Sequence, residues 1–429
     1  MDALLPGILH HGRVLELEHG QRGVRLTVLV EDRMVQLGAA APRADGLAPG
    51  DLISFSLQPG QAPGALPTAG QIVRVDRPAS GARWGEGDAL RWRRPGRAPS
   101  RLDLLRLRHR VMRAVRAFFD ERGFLEVDTP VLVRAPSPEP QFAPIAAGGE
   151  FLITSPEFQL KRLLVGGCER IYRIGPAFRG GERGRLHNPE FTLLEWYRTH
   201  ADTDALAADL RGLLAHLVPI SEAFAAAQAA APEQRDAPRL RAEWLDGPWP
   251  RHAVADLFRR HLGMELRGVT SAEALRAAAR AASWPEAEAL PADFDAAFSR
   301  LWVALESGFP PTPFLVVDWP APLASLARLK PGDPSVAERM ELYAGGLELA
   351  NGFAELTDPV QQRARFEAQL AQRRALGLPP VPLDEAFLRA LADGMPPSAG
   401  MALGVDRLVM LIAGVPAIRD VLAFASEER

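Results

Sequence analysis

The sequence feature that most constrains the fold is the stretch 178–198, FRGGERGRLHNPEFTLLEWYR, which reads as two strands around a polar loop. The loop, residues 180–189, holds three glycines and three charged residues, so its backbone can bend closely over a ligand. The second strand alternates, which puts Glu195 and Tyr197 on one face and apolar side chains on the other. With Arg179 ending the first strand, a carboxylate, a phenol and a guanidinium converge on one surface. The alternative is a surface hairpin with a solvated, charged tip.

This stretch resembles motif 2 of the class II aminoacyl-tRNA synthetases. The run HNPEFTLLEWY at 187–197 is most similar to lysyl-tRNA synthetases and to their paralogues that lysylate elongation factor P. In those families the loop covers ATP, the arginine binds the α-phosphate and the second strand lines the amino-acid pocket. The resemblance therefore implies that Arg179 is catalytic and that Glu195 and Tyr197 bind the amino acid. The ATP contacts that it implies here are Arg179, Gly180, Gly181, Glu182, His187, Asn188 and Phe191.

One departure from the family pattern lies directly after Arg179. The lysine-activating families have Asn-Glu there, and that glutamate contacts the adenine end of ATP, whereas this chain has Gly180-Gly181. We expect the two glycines to let the loop fold more tightly, so that Glu182 reaches the adenine amino group instead. The alternative is that Glu182 is a solvated loop charge paired with a neighbouring arginine.

Composition bounds the class of protein. The chain has 429 residues, enough for two or three domains, and its 47% hydrophobic and 24% charged residues are typical of globular proteins. The single cysteine, Cys168, excludes an internal disulfide and a cysteine-based zinc site. No apolar run approaches the length of a bilayer span and no secretory signal is evident, so we expect a cytoplasmic protein with no membrane partner. The net charge of −3 argues against a general nucleic-acid binder. Lysine is nearly absent, because Lys161 and Lys330 are the only lysines among 50 lysines and arginines.

Residues 1–78 predict a small β domain. Five short strand candidates separated by Gly, Pro and Asp suggest a β-barrel-like, possible OB fold. A plain dimerisation or packing module is an equally good interpretation, since Phe55 is the only aromatic residue in this segment and base stacking is weakly supported. Residues 79–100 lack periodicity and read as a linker. The strand candidates are residues 12–17, 24–31, 34–37, 51–57 and 71–76.

Residues 101–429 carry the remaining motifs. Apolar residues at three- and four-residue spacing between 103 and 122 predict a helix, which a short strand at 124–127 follows. This unit resembles motif 1, which builds the dimer interface in the family, so the resemblance implies a homodimer. Residues 203–310 predict helices without identifiable chemistry and look like the family's insertion between motifs 2 and 3.

Residues 151–157, FLITSPE, predict a strand that runs into a helix, with Ser155 at the N-cap and Pro156 in the first turn. Glu157 in the first turn suits the helix dipole, which would explain it without any function. In the lysine-activating families this SPE segment contacts the amino acid, and a carboxylate there can bind an ammonium. The resemblance therefore adds Ser155, Pro156 and Glu157 to the substrate-binding residues.

Residues 337–358 hold a second cluster of acids around a Gly-Gly pair at 345–346, which predicts a two-residue hairpin turn. In that register Tyr343 faces Glu348, and Glu341 becomes a diagonal neighbour of Glu348, roughly 7–8 Å away at the backbone. Two carboxylates at that separation can hold Mg²⁺ between phosphate oxygens, although strand carboxylates are more often solvated. The resemblance assigns both acids to ATP and magnesium.

Asn351, Phe353 and Glu355 share a face by period two, and simple parity puts that face opposite Glu348. A bulge near Gly352 would bring part of it round. In the family the equivalent residues surround the lysine side chain. A buried carboxylate facing an ε-ammonium is physically sound, because each charge alone would be costly. The resemblance therefore makes all three substrate-binding residues, with Glu355 as the partner of the ε-ammonium.

Residues 399–413, AGMALGVDRLVMLIA, predict a strand entering an apolar helix, with Arg407 in its first turn. A cation there opposes the helix dipole unless it faces an anion. The segment resembles motif 3, whose arginine binds the γ-phosphate, so Arg407 is implied to be catalytic. Ala402 stands where lysyl-tRNA synthetases usually have glycine and the elongation-factor ligases have alanine, and it is assigned to the substrate. The ATP contacts implied outside motif 2 are Glu348, Leu349, Gly404 and Arg407.

The prediction is therefore an α+β fold, a class II synthetase-like antiparallel sheet flanked by helices with a small N-terminal β domain. The resemblance implies ATP-dependent activation of lysine or (R)-β-lysine to an aminoacyl-adenylate. Ala402 and the run GLELANGF at 346–353 favour a lysine of elongation factor P as acceptor, whereas an OB-like N-terminal domain favours tRNA. A non-catalytic nucleotide-binding paralogue is a third interpretation, which the intact Arg179, Glu348 and Arg407 disfavour.

Overall fold

The computed structural model describes residues 9–20, 23–30, 33–58, 66–76, 99–228 and 238–428. The chain divides into two compact units, residues 1–97 and residues 98–429. Most of the linker predicted at 79–100 lies outside the described residues.

The N-terminal unit consists of β1 (Leu9–Gly20), β2 (Gly23–Val30), β3 (Arg33–Ala39), the short helix α1 (Ala41–Ala44), β4 (Leu52–Leu57) and β5 (Ala69–Asp76). The five strands form one antiparallel sheet in the order β3-β2-β1-β4-β5, with Phe55 and Leu26 fully buried in its core. Gly38 N donates to Pro67 O at 2.8 Å, a single parallel bridge between β3 and the segment before β5. The predicted OB-like arrangement is confirmed, but no closed barrel forms among the residues described.

The second unit is built on a large sheet. Its strands are β6 (Leu125–Glu126), β7 (Leu132–Val133), β8 (Ala146–Ala147), β9 (Glu150–Leu152), β10 (Arg170–Phe178), β11 (Glu190–Thr199), β12 (Arg251–Ala253), β13 (Phe314–Pro320), β14 (Leu329–Lys330), β15 (Asp333–Ala344), β16 (Leu347–Ala354) and β17 (Ser398–Gly404). The sheet runs β12-β13-β15-β16-β17-β11-β10-β6, with β14 beside β15, while β7, β9 and β8 form a small separate sheet. The pairs are antiparallel except at the two edges, β12–β13 and β10–β6. The predicted antiparallel sheet is confirmed.

The helices of this unit are α2 (Arg101–Asp120), α3 (Glu157–Val165), α4 (Thr203–Ala227), α5 (Val254–Leu262), α6 (Ala272–Ala281), α7 (Phe294–Glu306), α8 (Pro359–Ala375), α9 (Glu385–Gly394), α10 (Val405–Ala413) and α11 (Ile418–Val421). Short 3₁₀ turns occur at Ala242–Leu245, Ala287–Ala289, Ala321–Leu323 and Ser426–Glu428. Helix α2 begins with a capping box, because Ser100 Oγ accepts from Asp103 N and the Asp103 carboxylate accepts from Ser100 N. Its buried face has the predicted spacing.

The two faces of the sheet are covered by different helices, and this division positions the site. On one face Leu194 and Trp196 belong to a core shared with α2, α4 and α10. On the other face Tyr197 packs with Phe158 and Leu160 of α3 and with side chains of α8 and α9. The alternation predicted for residues 191–198 is therefore correct, and the face that carries Tyr197 and Glu195 is the one that can hold a ligand.

Helix α4 is the one helix in the described part of the chain whose length and composition would suit a membrane span. This corrects the expectation that no apolar run approaches that length. Leu206, Leu210, Leu213 and Leu217 of this helix are fully buried in the core of the unit, and this packing accounts for its apolar character.

Candidate active site

A cavity of about 180 Å³ opens on the Tyr197 face of the sheet. Its walls come from β11, β16, β17, the start of α3 and two loops, at 133–142 and 322–326. Segments far apart in sequence thus meet in one pocket, as the motif assignments require. The predicted site residues that line it are Ser155, Glu157, Arg179, Glu195, Tyr197, Asn351, Phe353 and Ala402.

Glu195 lies in the wall of this cavity with only 2% of its surface exposed. Ser155 Oγ donates to its Oε1 at 2.6 Å, and Tyr197 OH donates to its Oε2 at 3.0 Å. Burial, and after it the charge of Glu157, raises the pKa of Glu195 to about 7. Among the described residues Glu195 makes no ion pair within 4.0 Å. Arg173, its buried register partner on β10, acts on Glu195 only through its charge, which lowers the pKa. A buried carboxylate with two hydroxyl donors and no ion pair is suited to receive the ammonium of a ligand.

Ser155 reaches Glu195 because of the way in which α3 begins. The N-cap residue is Pro156 rather than the predicted Ser155, and the helix starts at Glu157. Ser155 Oγ nevertheless accepts from Glu157 N at 3.1 Å while it donates to Glu195. One hydroxyl therefore holds both the helix start and the acid, whereas Pro156 does not line the cavity.

Lys161 is a site residue that the motif analysis missed. It lies one turn into α3 with 0% of its side chain exposed, and its Nζ is 2.5 Å from Glu157 Oε1 and in contact with Glu355 Oε2. Burial alone would lower the pKa of Lys161, but the two carboxylates together raise it, so the side chain stays an ammonium. Glu355 is fully buried behind the cavity wall, already facing this internal cation. The structure thus brings Asn351 and Phe353 to the cavity, but not Glu355.

The hairpin of β15 and β16 carries the second cluster of acids. Gly345 and Gly346 both have positive φ, 66° and 73°, as the predicted two-residue turn requires. Tyr343 pairs with Glu348 as predicted, while Glu341 pairs with Asn351. Paired residues share a face. Glu348 and Asn351 therefore point the same way, against simple parity.

The reason is a bulge at Leu349, which has no partner on β15 because the register shifts between Leu342 and Tyr343. The predicted bulge near Gly352 is therefore wrong in position. Its predicted effect, which is to bring Asn351 round to the face of Glu348, is correct. Gly352 has another role, since a Cβ there would lie 2.7 Å from Gly400 O. The small residue allows β16 and β17 to approach closely.

Glu341 and Glu348 provide a donor set of the kind that suits Mg²⁺. Glu341 is 4% exposed, and burial together with the charge of Glu348 raises its pKa to about 8. Its oxygens accept from Arg339 at 2.6 Å and from Tyr343 OH at 3.2 Å. Two mutually repelling carboxylates fit a hard divalent cation that also binds substrate phosphates. No larger group of His, Cys, Asp or Glu side chains converges as a metal site within the described ranges.

Arg407 lies in the first turn of α10, as predicted, and faces anionic and polar groups. Its Nη1 donates to Glu348 O at 2.8 Å and to Glu348 Oε2 at 3.3 Å. Its Nη2 is 2.9 Å from His187 Nε2. Burial and the charge of Arg407 lower the pKa of His187, so a neutral imidazole can accept this hydrogen bond. Arg407, Glu348 and His187 form one cluster outside the lining of the cavity.

Arg179 connects the cavity to the motif 2 loop. Its guanidinium stacks over the Phe142 ring at 4.2 Å and lies 5.2 Å from the Phe191 ring centre. Its Nη1 is 3.9 Å from Glu182 Oε1. Gly181 has φ 81°, and a Cβ on Gly180 would lie 2.9 Å from Ala143 O. Both glycines are therefore required by the loop path.

Three further predicted contacts do not line the cavity. Asn188 is 4% exposed and braces the loop, since its Nδ2 donates to Glu190 O and its Oδ1 accepts from Ser426 N at 3.1 Å. Leu349 is 2% exposed in the main core, so its side chain is not available to a ligand. Gly404 ends β17 and is the N-cap of α10.

The cavity also includes charged residues that carried no motif signal. Glu139 accepts from Ser325 Oγ at 2.6 Å and from Ser137 Oγ at 2.9 Å. Asp295 comes from α7, in the insertion for which no chemistry was predicted, and burial beside Asp293 raises its pKa to about 6. Arg339 donates to Asn351 Oδ1 at 3.2 Å and links the cavity to Glu341. Nothing local in the sequence distinguishes these residues from surface charges.

Residues 89–428 match the family described as tRNA synthetases class II (D, K and N). The chain therefore belongs to this family of class II synthetases, as its sheet and motifs also indicate. It is 38% identical to the elongation factor P--(R)-beta-lysine ligase of Erwinia tasmaniensis over 329 residues, 73% of this chain and 92% of that protein. The ligase of the same name from Pectobacterium carotovorum is 38% identical over 332 residues, 74% of this chain and 93% of that protein. The lysine--tRNA ligase of Moorella thermoacetica is 36% identical over 332 residues, 74% of this chain but 64% of that enzyme.

Proposed function

We propose that the protein activates a lysine-type amino acid, (R)-β-lysine or lysine, with ATP and transfers it to a lysine side chain of elongation factor P. The observation that carries this proposal is the buried Glu195 in the cavity wall, which is held by Ser155 and Tyr197 and makes no ion pair within 4.0 Å among the described residues. A diamino acid supplies an ammonium that can form an ion pair with this carboxylate. Arg179 lines the same cavity and can bind the carboxylate end of the ligand or the phosphate bonded to it.

The chemistry follows from positioning and charge neutralisation, without a covalent nucleophile. A carboxylate oxygen of the amino acid attacks the α-phosphorus of ATP, pyrophosphate leaves, and Arg179 stabilises the charge that develops. The acceptor amine then attacks the carbonyl carbon, the carbonyl–oxygen bond to AMP breaks, and the nitrogen loses its proton. Arg407 can bind the other phosphates directly, whereas Glu341 and Glu348 would reach them only through a bound cation, because carboxylates repel phosphate. When bound to these acids, Mg²⁺ would neutralise phosphate charge.

Two observations favour elongation factor P as the acceptor. The relatives that bear this name match over nearly their whole length, whereas the tRNA ligase matches over 64% of its length. Ala402 is the register partner of Glu195 and lines the cavity, and the resemblance gives alanine at this position to the elongation-factor ligases and glycine to the lysyl-tRNA synthetases. The alternative is tRNA charging, and the five-stranded N-terminal unit is the feature that favours it.

One transfer assay tests the acceptor. The purified chain is incubated with ATP, Mg²⁺ and either lysine or (R)-β-lysine, in parallel with elongation factor P and with lysine tRNA. We expect acylation of elongation factor P, verified by mass spectrometry, and no charging of tRNA. Robust tRNA charging with unmodified elongation factor P would reverse the assignment.

The same proposal includes a homodimer formed through α2 and β6 and a cytoplasmic location. Sedimentation of the full chain tests the dimer.

A further inference from the structure

Arg173 is a buried cation to which the chemistry described so far assigns no role. It lies on β10 with 2% of its surface exposed, directly opposite Glu195 in the register of β10 and β11. Register partners share a face of the sheet, so the guanidinium and the carboxylate lie on the same side. Glu195 lines the cavity, whereas Arg173 does not. Arg173 therefore lies beside the acid of the cavity wall but outside the space that a ligand can occupy.

The guanidinium of Arg173 occupies a recess over Gly175, two residues further along β10. A Cβ on Gly175 would lie 2.8 Å from Arg173 Nη2 and 2.9 Å from its Cζ, so the recess requires a glycine. Arg173 Nη1 donates to Pro176 O at a long 3.5 Å, and Nε is buried without a hydrogen-bond partner. Among the described residues, Glu195 and Asp128 act on it only through their charges. A buried charge with so few partners is costly to the fold, which indicates a role for the charge itself.

The buried acids around Glu195 show what this charge adds. Glu157 and Glu355 both contact Lys161 Nζ, and both repel Glu195 through their charges. When ionised, these three acids carry three negative charges, and the two buried cations beside them in the described structure, Lys161 and Arg173, carry two positive ones. One positive charge is missing, and the side-chain ammonium of a lysine-type ligand supplies it. Without Arg173 two would be missing, and uncompensated buried acids take up protons.

The other groups that face Glu195 cannot replace this cation. Ser155 and Tyr197 donate hydrogen bonds to the carboxylate without carrying a charge. Burial raises the pKa of Tyr197 well above its usual range, so the phenol stays neutral. On β17 the register partner of Glu195 is Ala402. Across the elements that the structure describes around Glu195, Arg173 is thus the cation that the other two acids do not already bind.

We propose that Arg173 is a buried counter-charge that keeps Glu195 in its charged form and leaves the pocket one positive charge short, which the side-chain ammonium of the ligand completes. Arg173 touches no ligand in this arrangement and is a positioning residue. Burial lowers the pKa of Arg173, but the pKa of a guanidinium starts so high that the side chain stays charged. Burial, and after it the charge of Glu157, raises the pKa of Glu195 to about 7, and the charge of Arg173 opposes this rise. The inference deepens the proposed function and rests on it only for the identity of the ligand.

The first experiment removes the charge with Arg173→Gln and follows the KM for lysine in pyrophosphate exchange from pH 6 to pH 9. The titration of Glu195 should move up by about one pH unit, the lower end of the effect of a nearby opposite charge. The KM for lysine should therefore rise about fivefold at pH 7 and stay within about twofold of the parent at pH 9, where Glu195 is ionised in both proteins. The ligand side chain is still charged at pH 9, because its ordinary pKa is about 10.4.

Two further variants separate the charge of Arg173 from its packing. Arg173→Lys keeps a cation and should retain the pH profile of the parent to within about half a unit. Arg170→Gln, the matched control, removes an exposed arginine of the same strand whose Nη1 donates to Arg122 O at 3.2 Å, and it should change neither the profile nor the KM. An unchanged profile in Arg173→Gln, a KM raised equally at pH 7 and pH 9, or a profile as shifted in Arg173→Lys as in Arg173→Gln would overturn the proposal.

A stability measurement tests the same coupling without catalysis. Melting temperatures of the parent, Arg173→Gln, Glu195→Gln and the double variant are compared at pH 8 and pH 5. At pH 8 Arg173→Gln should lower the melting temperature by at least about 2 °C more in the parent than in Glu195→Gln, since only the parent has the charge partner. At pH 5, where Glu195 is protonated, this difference should disappear.

The stability data distinguish the failure of this inference from the failure of the proposed function. If the parent shows no exchange with either lysine isomer, the proposed function fails, while the pH-dependent coupling still supports the counter-charge. If Arg173→Gln folds only together with Glu195→Gln, the coupling is supported directly, because removing both partners leaves no uncompensated charge. Equal losses in both backgrounds at pH 8, or a double variant that does not fold, contradict the inference about Arg173.

Discussion

Gly400 lies directly opposite Tyr197 in the register of β17 and β11, and a Cβ on Gly400 would come within 2.2 Å of Tyr197 Cε1. The same Cβ would lie 2.5 Å from Glu355 Oε1. The phenol of Tyr197 can therefore lie flat across β17 and reach Glu195 only because residue 400 has no side chain. The geometry of the proposed ammonium site depends on a glycine that makes no polar contact with it.

Gly400→Ala should displace Tyr197 and Glu355 together. Overpacking of this kind costs about 1–3 kcal/mol of the free energy of unfolding. We also expect the KM for lysine to rise more than about tenfold, since loss of the Tyr197 hydrogen bond to Glu195 alone is worth about 1.5 kcal/mol. Urea unfolding and pyrophosphate exchange measure the two effects. Gly184→Ala is the control, because nothing lies within 4 Å of a Cβ there. A KM within about twofold of the parent would show that Tyr197 does not orient Glu195.

The pKa of Glu195, about 7, predicts a pH-dependent affinity for the amino acid. An acid whose pKa is raised is neutral below that value, so protons compete with the ligand ammonium for Glu195. The KM for lysine should therefore fall about tenfold per pH unit up to about pH 7 and level off above it. Glu157, whose pKa burial also raises, acts in the same direction. In Glu195→Gln the KM for lysine should be high. If this KM still falls with pH as steeply as in the parent, the titrating group is not Glu195. The KM for ATP over the same range is the control.

Glu182→Ala tests the departure from the family pattern in the motif 2 loop. If Glu182 binds the adenine amino group, the KM for ATP should rise about tenfold to a hundredfold, since a hydrogen bond to a charged group is worth about 1.5–3 kcal/mol. The KM for lysine should change little. Arg183→Ala, at the next position, serves as the comparison. Should ATP binding stay within about twofold, Glu182 is only the partner of Arg179 that lies 3.9 Å away.

Asp295→Asn should stabilise the protein at neutral pH. Burial and the neighbouring acids raise the pKa of Asp295 from 3.8 to about 6, so the folded protein binds this proton more tightly than the unfolded chain does. The penalty for the ionised form grows between about pH 4 and pH 6 and is constant above. Each pKa unit is worth about 1.4 kcal/mol, and partial exposure reduces the shift, so we expect a gain of about 1–2 kcal/mol at pH 8. Urea unfolding at pH 4 and pH 8 measures it. A gain of the same size at both pH values would exclude titration of Asp295 as its cause.

The sequence was sufficient to predict which way a side chain points wherever a short local pattern fixes that direction. Alternation along β11 correctly joined Glu195 to Tyr197, and the Gly-Gly turn correctly paired Tyr343 with Glu348. Arg179 could be placed directly after the end of β10, and Arg407 in the first turn of α10, because the sequence marks where a strand ends and where a helix starts. Each of these inferences required only local geometry.

Sequence reasoning failed where burial is decided by distant segments. A lysine near the start of a helix is normally exposed, and nothing in the sequence of α3 reveals that Glu355, almost two hundred residues away, meets Lys161. The position of Asp295 in the cavity could not be predicted for the same reason, because only the tertiary fold brings α7 there. The bulge at Leu349 was expected at Gly352 because glycine is the usual signal, but here a leucine that packs into the core takes the extra position.

The bulge at Leu349 sets the phase of β16, meaning which face of the sheet each of its side chains occupies. Glu348 before it and Asn351 and Phe353 after it face the same way only because one residue is skipped. The strand could gain or lose residues at the turn of Gly345 and Gly346 without changing that phase. A strand of the same length without the bulge would instead turn Glu348 to the face opposite Asn351 and Phe353, so that Glu348 and these two cavity residues would no longer share a surface. A one-residue offset in a single strand thus keeps Glu348 on the same surface as Asn351 and Phe353.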